Sequence, residues 1–69
     1  MSTTFNNSSV INEASYDGGS RVLTIRFKSG ATYAYQDVDE AVHTGLTSAQ
    51  SAGRFFAQKI NGRFNATRQ

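Results

Sequence analysis

Residue types that often stabilise small proteins are missing or rare in this chain. It contains no cysteine and no proline, and it has one histidine. Without cysteine there are no disulfides and no thiolate metal ligands, and one histidine among five scattered acids predicts no structural zinc site. No apolar run approaches the roughly 20 residues that span a bilayer, and the N-terminus lacks the basic and apolar regions of a signal peptide. We therefore expect a cytoplasmic domain with neither metal nor cofactor.

Size and composition predict one small folded domain. A chain of 69 residues buries only about 60% of its unfolded surface, so its stability is marginal and a second copy or partner is expected to contribute. Its hydrophobic content of 38%, with five phenylalanines and three tyrosines, favours a folded core over disorder. Polar composition predicts a flexible arm at 1–8 and a flexible tail at 65–69, which leaves the domain at 9–64.

Acidic and basic residues occupy different segments of the chain. The net charge of +2 and the pI of about 9.4 are too small to indicate a partner by themselves. However, the acids are confined to residues 1–20 and 37–50, and the bases to 21–36 and 51–69. This segregation predicts a basic face despite the small total.

Hydrophobic periodicity predicts three strands in the first half of the chain. Residues 10–16 alternate imperfectly, whereas residues 21–28 place Leu23, Ile25 and Phe27 on one face at a period of two. A third strand is expected at 31–35. The short turns between these segments contain glycine, which favours an antiparallel meander.

Two capping boxes predict helices after the strands. Asp37 with Glu40 opens a short helix that we expect to break near Gly45, and Thr47 with Gln50 opens a longer one. The predicted fold class is α+β, with a three-stranded antiparallel β-meander followed by two helices packed on one face of the sheet. The apolar stripe of the second helix comprises Ala49, Gly53, Phe56, Ile60 and Phe64, and the central core is expected to comprise Leu23, Ile25, Phe27, Phe56 and Ile60.

Catalytic motifs are not found in the sequence. His43 lies near acids and a threonine, but no nucleophile elbow places a triad, so a solvated helix histidine is expected. The Gly18-Gly19 and Ser29-Gly30 pairs are turn signals without the spacing or the Lys-Ser/Thr of a phosphate loop. We therefore predict that the protein is not an enzyme.

Aromatic and basic side chains give two candidate binding groups. Tyr33 and Tyr35 project from one face of a strand, and if that face is open, they form a stacking platform flanked by Arg26 and Lys28. The alternative is that the tyrosines fill the core beneath the helices. The second group lies on the second helix and could contact phosphates or another subunit, or be an ordinary solvated face; it comprises Arg54, Phe55, Lys59 and Arg63.

The order of several short motifs resembles the KTSC domain. This module occurs at the C-terminus of some lysyl-tRNA synthetases and as a free-standing bacterial or phage protein. Ile11, Tyr16-Asp17 and the strand with its Ser29-Gly30 turn come first, followed by a Y-x-Y motif at Tyr33-Ala34-Tyr35. A small-residue, glycine and aromatic pattern completes it at Ser51-Ala52-Gly53-Arg54-Phe55-Phe56 with Ile60, while Asp39, Ala52 and Ala57 depart from residues common in the family.

The resemblance implies a small binding module in a bacterial cell or a phage-infected host. The first hypothesis is that the module binds RNA or single-stranded nucleic acid, with bases stacked on tyrosine and phosphates held by lysine and arginine. The alternatives are a protein-interaction module that docks on and inhibits or modulates a larger host protein, and a small-ligand sponge. Exposed sheet edges favour a homo-oligomer in each case.

Overall fold

The computed structural model describes residues 2–6 and 8–69, and its framework is a five-stranded antiparallel sheet. The strands lie side by side in chain order, each antiparallel to the next. An α+β fold with an antiparallel sheet and two helices confirms the coarse prediction. The strands are β1 (Ser2–Thr4), β2 (Ile11–Asp17), β3 (Val22–Phe27), β4 (Thr32–Tyr35) and β5 (Ala66–Arg68).

Both edge strands lie in segments for which no strand was predicted. β1 pairs with β2, and β5 pairs with β4 after the helices return the chain to the sheet. The prediction of three strands is therefore wrong in number, although β2, β3 and β4 form the expected meander. Each edge strand is three residues long and has no hydrophobic alternation. Pairing with a neighbouring strand satisfies its backbone, and local sequence does not encode that pairing.

A bulge in β2 explains the imperfect alternation of this strand. The register of β2 against β3 shifts between Ile11 and Glu13. Because a bulge adds one residue to one strand, Ile11, Ala14 and Tyr16 are all buried although the first two are three positions apart. The preceding residue, Val10, is left at the surface with 44% exposure.

Both predicted hairpin turns form, with left-handed backbone at different kinds of residue. Gly30 has φ +97° in the second turn, where a glycine is favoured. In the first turn the left-handed residue is Arg21, with φ 59°, and its guanidinium pairs with the carboxylate of Asp39. The Asp17 carboxylate accepts a hydrogen bond from the Gly19 N–H at 3.0 Å, which closes the same turn.

Helix α1 spans Glu40–Ser48 and differs from the prediction at both ends. Its N-cap is Asp39 rather than Asp37, which has a left-handed backbone with φ 56°. The helix does not break at Gly45, and it continues far enough to bury Leu46 completely. Complete burial of that leucine in the core favours continuation more than one glycine opposes it.

Helix α2 spans Ala52–Phe55 and continues as a π-helical turn over Phe56–Ile60. Its N-cap is Ser51 rather than the predicted Thr47, and the Ser51 Oγ accepts a hydrogen bond from the Arg54 N–H at 3.2 Å. Within residues 2–6 and 8–69, no helix combines the length and apolar composition needed to cross a bilayer.

The core lies between one face of the sheet and the two helices. Three of the five predicted central residues, Leu23, Ile25 and Ile60, are fully buried. The other two, Phe27 and Phe56, are half-buried and meet edge to face with ring centroids 5.2 Å apart. The remaining fully buried large side chains, beyond those predicted, are Ile11, Val38 and Leu46.

Candidate functional site

The two tyrosines of the Y-x-Y motif lie on the helix-covered face of the sheet. Tyr35 is opposite Leu23 in the β3–β4 register and is only 5% exposed. Its ring packs edge to face on Phe56 with centroids 5.9 Å apart. Burial, with a smaller contribution from Tyr33, raises the pKa of the Tyr35 hydroxyl above its ordinary value. Tyr35 is therefore a core residue and offers no surface for stacking.

Tyr33 occupies the rim of the same face and remains half-buried. Its ring meets Phe27 edge to face at a centroid distance of 6.0 Å. The guanidinium carbon of Arg68, from β5, lies 6.0 Å from the Tyr33 ring centroid, a cation–π arrangement. The Tyr33 ring is thus partly accessible to a ligand and has a positive charge beside it.

Arg26 lies on the opposite face from the two tyrosines. Strand alternation separates it from Ile25 and Phe27, and its partner in the register is Glu13. Arg26 Nη1 is 3.9 Å from Glu13 Oε1, so an acid partly balances its charge. The predicted stacking platform, which required both tyrosines to lie beside Arg26 on an open face of the sheet, therefore does not form.

The predicted flank of helix α2 is not a continuous stripe. Phe55 packs against α1, where a Cβ built on Gly45 would lie 2.7 Å from the Phe55 Cζ atom. Lys59 is exposed within the π-helical turn. Arg63 lies beyond the end of the helix, and its Nε–H donates to the Gln58 carbonyl at 3.1 Å. Regular α-helical spacing predicted this flank, and the π turn and the early helix end disrupt it.

Two clefts of the described surface adjoin each other. The larger, of about 670 Å³, lies between the β1–β2 segment and the α1–α2 junction, with Arg54 at its margin. The smaller, of about 460 Å³, contains Phe27, Tyr33 and Lys28. Ser9 and Val10 line both clefts. We refer to the two clefts together as the Val10 surface.

Each cleft of the Val10 surface is lined by one described cationic side chain, and neither has an acid among its described lining residues. Arg54 provides the charge of the larger cleft and Lys28 that of the smaller cleft, with Arg68 above Tyr33. Val10, which lines both clefts, is the most exposed large hydrophobic side chain of the described residues. An extended ligand with negative charges and flat apolar groups matches this arrangement.

Three of the predicted binding residues therefore lie on one surface, and five do not. Lys28, Tyr33 and Arg54 line the Val10 surface. Sequence reasoning missed Val10 and Arg68, because a bulge exposes the first and an unpredicted strand brings the second to Tyr33. The residues outside the two clefts are Arg26, Tyr35, Phe55, Lys59 and Arg63.

His43 is a core residue and not the solvated helix residue that the sequence predicted. It is 4% exposed, and its ring stacks on Tyr16 with centroids 5.4 Å apart. The Tyr16 O–H donates to the Val38 carbonyl at 2.6 Å, which fixes the ring beneath the histidine. Burial lowers the pKa of His43, while nearby Glu40 opposes that shift. In the described ranges there is also no cluster of three side chains suited to metal ligation.

Comparison with known proteins identifies the family. The sequence profile of the KTSC domain matches residues 7–64. The chain belongs to the KTSC domain family. This KTSC chain also superimposes on the crystal structure of a KTSC domain protein from Yersinia pestis, with a TM-score of 0.94 and 36% sequence identity. That match covers 100% of this chain and 96% of the other.

Relatives of this KTSC chain include both a small protein and a segment of a long one. A protein from Tsukamurella paurometabola is 42% identical over 59 residues, which are 86% of this chain and 88% of the relative. A lysine–tRNA ligase from Nostoc punctiforme is 41% identical over 56 residues, which are 81% of this chain. The match covers only 10% of that ligase.

Proposed function

We propose that this KTSC chain is a non-enzymatic binding module that holds a single-stranded nucleic acid along the Val10 surface. The observation that carries the proposal is the absence of acids from the described lining of two adjoining clefts, each of which is lined by one cationic side chain. A polyanion gains attraction along this whole path, because no described lining residue repels it.

The exposed part of the Tyr33 ring favours a single strand over a duplex. Stacking on an aromatic side chain requires a base that has left its own stack, and each such contact contributes about 1–3 kcal/mol. Val10 and Phe27 extend the apolar lining beside Tyr33, while Lys28 supplies a charge for an adjacent phosphate. The smaller cleft therefore suits one base together with its phosphate.

The relatives add a biological context to the geometry. A lysine–tRNA ligase acts on a tRNA, and a segment similar to this chain makes up about a tenth of the Nostoc punctiforme ligase. A module of this kind would add contacts along an extended strand. This context supports nucleic acid as the partner of this chain, although fold likeness alone would not.

Binding of labelled single-stranded oligonucleotides, followed by fluorescence anisotropy over a range of salt concentrations, tests the proposal. With Lys28, Arg54 and Arg68 as phosphate contacts, the slope of log K against log salt should be about −2, at about −0.7 per contact. Tyr33→Leu keeps an apolar side chain against Phe27 but removes the aromatic face. We expect this variant to bind about tenfold more weakly or worse.

Matched charge variants test whether binding depends on the cations of the Val10 surface or on the charge of the protein as a whole. Lys28→Gln and Arg54→Gln should each weaken binding and reduce the salt slope by about 0.7. Lys59→Gln and Arg26→Gln remove the same charge elsewhere and should leave the slope unchanged. Equal losses in all four variants, or no binding to any oligonucleotide at low salt, would contradict the proposal.

The exposure of Val10 favours a protein partner as the second candidate function. Val10 is 44% exposed beside half-buried Phe27 and Tyr33, which gives an apolar centre with a polar rim, as in protein interfaces. A partner bound there should survive nuclease treatment and moderate salt and be lost in Val10→Ser. Partner binding that persists in Val10→Ser would exclude this surface as the docking site.

A further inference from the structure

We propose that the larger cleft reads the ribose 2′-hydroxyl, so that the strand bound on the Val10 surface is RNA rather than DNA. This inference rests on the proposed function and adds the chemical class of the sugar. It concerns the larger cleft, whose described lining contains one partly buried aromatic side chain, Phe5, and is otherwise more polar than that of the smaller cleft.

Uncharged hydrogen-bonding side chains dominate the larger cleft. Eight of its described lining residues carry a hydroxyl or amide, among them Asn6, Thr47 and Gln50, and Arg54 is the only charged side chain in that lining. A cleft that recognised phosphate alone would gain from further cations. Neutral donors and acceptors lose hydration when a ligand covers them, and only a ligand that returns hydrogen bonds compensates for that loss.

Contacts within the chain orient several of these hydroxyls. Ser8 Oγ accepts from the backbone N–H groups of Val10 at 3.1 Å and Ile11 at 2.9 Å, so its own proton is left to donate. Thr47 Oγ1 donates to the Thr44 carbonyl at 3.0 Å, so its oxygen is left to accept. The cleft therefore presents an oriented donor and an oriented acceptor.

A ribose 2′-hydroxyl both donates and accepts, and it is the group that distinguishes RNA from DNA. It can satisfy a donor such as Ser8 and an acceptor such as Thr47. A phosphate oxygen only accepts, and a deoxyribose carbon does neither, so DNA would leave the Thr47 oxygen desolvated and unpaired. The smaller cleft has fewer hydroxyls, those of Ser9, Ser29 and Tyr33, and its aromatic rings and Lys28 suit a base and a phosphate.

Oligonucleotides of one sequence in three chemistries test this inference. We expect the RNA strand to bind about 3- to 10-fold more tightly than the DNA strand, the range expected for one or two neutral hydrogen bonds. A 2′-O-methyl RNA strand keeps the oxygen but has no proton to donate to Thr47, and it should bind like DNA. Salt concentration and strand length are held constant, so that the phosphate contribution is the same for all three.

Variants in the larger cleft locate the preference. Thr47→Val removes the acceptor at nearly constant volume, and Gln50→Ala changes an exposed side chain whose loss should not affect folding. Both should reduce the preference for RNA, and neither should weaken the binding of DNA. Thr24→Val is the matched control, because Thr24 lies on the opposite face of the sheet from the core residues Leu23 and Ile25.

The outcomes distinguish the inference from the proposed function. Equal binding of RNA and DNA, or a preference for RNA that persists in both Thr47→Val and Gln50→Ala, overturns the inference and leaves the binding module intact. Failure of every strand to bind contradicts the proposed function itself. A preference for RNA that Thr24→Val reduces as much as Thr47→Val would place sugar recognition outside the larger cleft and also overturn the inference.

Discussion

The contact between Gly45 and Phe55 predicts a change of sign in a double-mutant cycle. A Cβ added to Gly45 would lie 2.7 Å from Cζ and 2.9 Å from Cε2 of the Phe55 ring. Overpacking of this kind costs about 1–3 kcal/mol. In a helix interior, alanine is favoured over glycine by about 1 kcal/mol. The free energy of unfolding of Gly45→Ala should therefore be between unchanged and about 2 kcal/mol lower.

Removing the ring should reverse the effect of the same substitution. In a Phe55→Ala background nothing blocks the new methyl group, so Gly45→Ala should raise the free energy of unfolding by about 1 kcal/mol. The coupling energy between the two positions is then about 1–3 kcal/mol. Urea denaturation of the four proteins, followed by far-ultraviolet circular dichroism, measures each term of the cycle.

Gly53 provides the matched control for this cycle. A Cβ at Gly53 would meet Val10 Cγ2 at 3.3 Å, and Phe55 is not among its nearest neighbours. The effect of Gly53→Ala should therefore be the same with and without the Phe55 ring. If Gly45→Ala changes stability equally in both backgrounds, the ring does not constrain Gly45 and the account of how α1 packs on α2 is wrong.

Three further predictions concern pH, backbone strain and assembly. Burial lowers the pKa of His43, so the free energy of unfolding should be highest at a pH above about 6.5, the pKa of an unfolded histidine, and should fall as the pH drops towards the folded pKa. The urea midpoint should therefore be lower at pH 5 than at pH 8 in the wild type, and this difference should be absent in His43→Phe. Asp37 has a left-handed backbone with φ 56°, so Asp37→Gly should raise the free energy of unfolding by about 0.5 kcal/mol. Asp39 has φ −72°, so Asp39→Gly should lower it. A urea titration that ranks the two variants the other way would contradict a strained backbone at Asp37. β1 and β5 each leave one side without a partner strand in the described chain, so sedimentation at micromolar concentration should detect a dimer or higher oligomer, and a single monomeric species would contradict that expectation.

The parts of the fold that local sequence determines were predictable. The period of two over Leu23, Ile25 and Phe27 requires a strand with one buried face, and the glycine at position 30 permits the following turn. The resemblance to the KTSC domain rested on the order of such local signals, and the family assignment confirms it.

Features that depend on partners distant in sequence were not predictable in the same way. Alternation places Tyr33 and Tyr35 on one face of β4, but it does not reveal whether the helices cover that face. The capping box predicted Asp37 as the N-cap of α1, but Asp37 has a left-handed backbone, and Asp39 has the extended backbone that an N-cap requires. The edge strands are encoded only by their pairing with β2 and β4.

The geometry of the Val10 surface follows from the way this small domain closes its core. The bulge after Ile11 allows that residue to be fully buried while its neighbour Val10 remains at the surface. Gly53 lets the Val10 side chain approach α2 closely, since even one added methyl group would crowd it at 3.3 Å. The bulge and Gly53 thus hold the apolar side chain of Val10 where the two clefts meet. Because the Val10 side chain already packs against Gly53 of α2, a ligand that covers it would lose little affinity to reorganisation of that side chain.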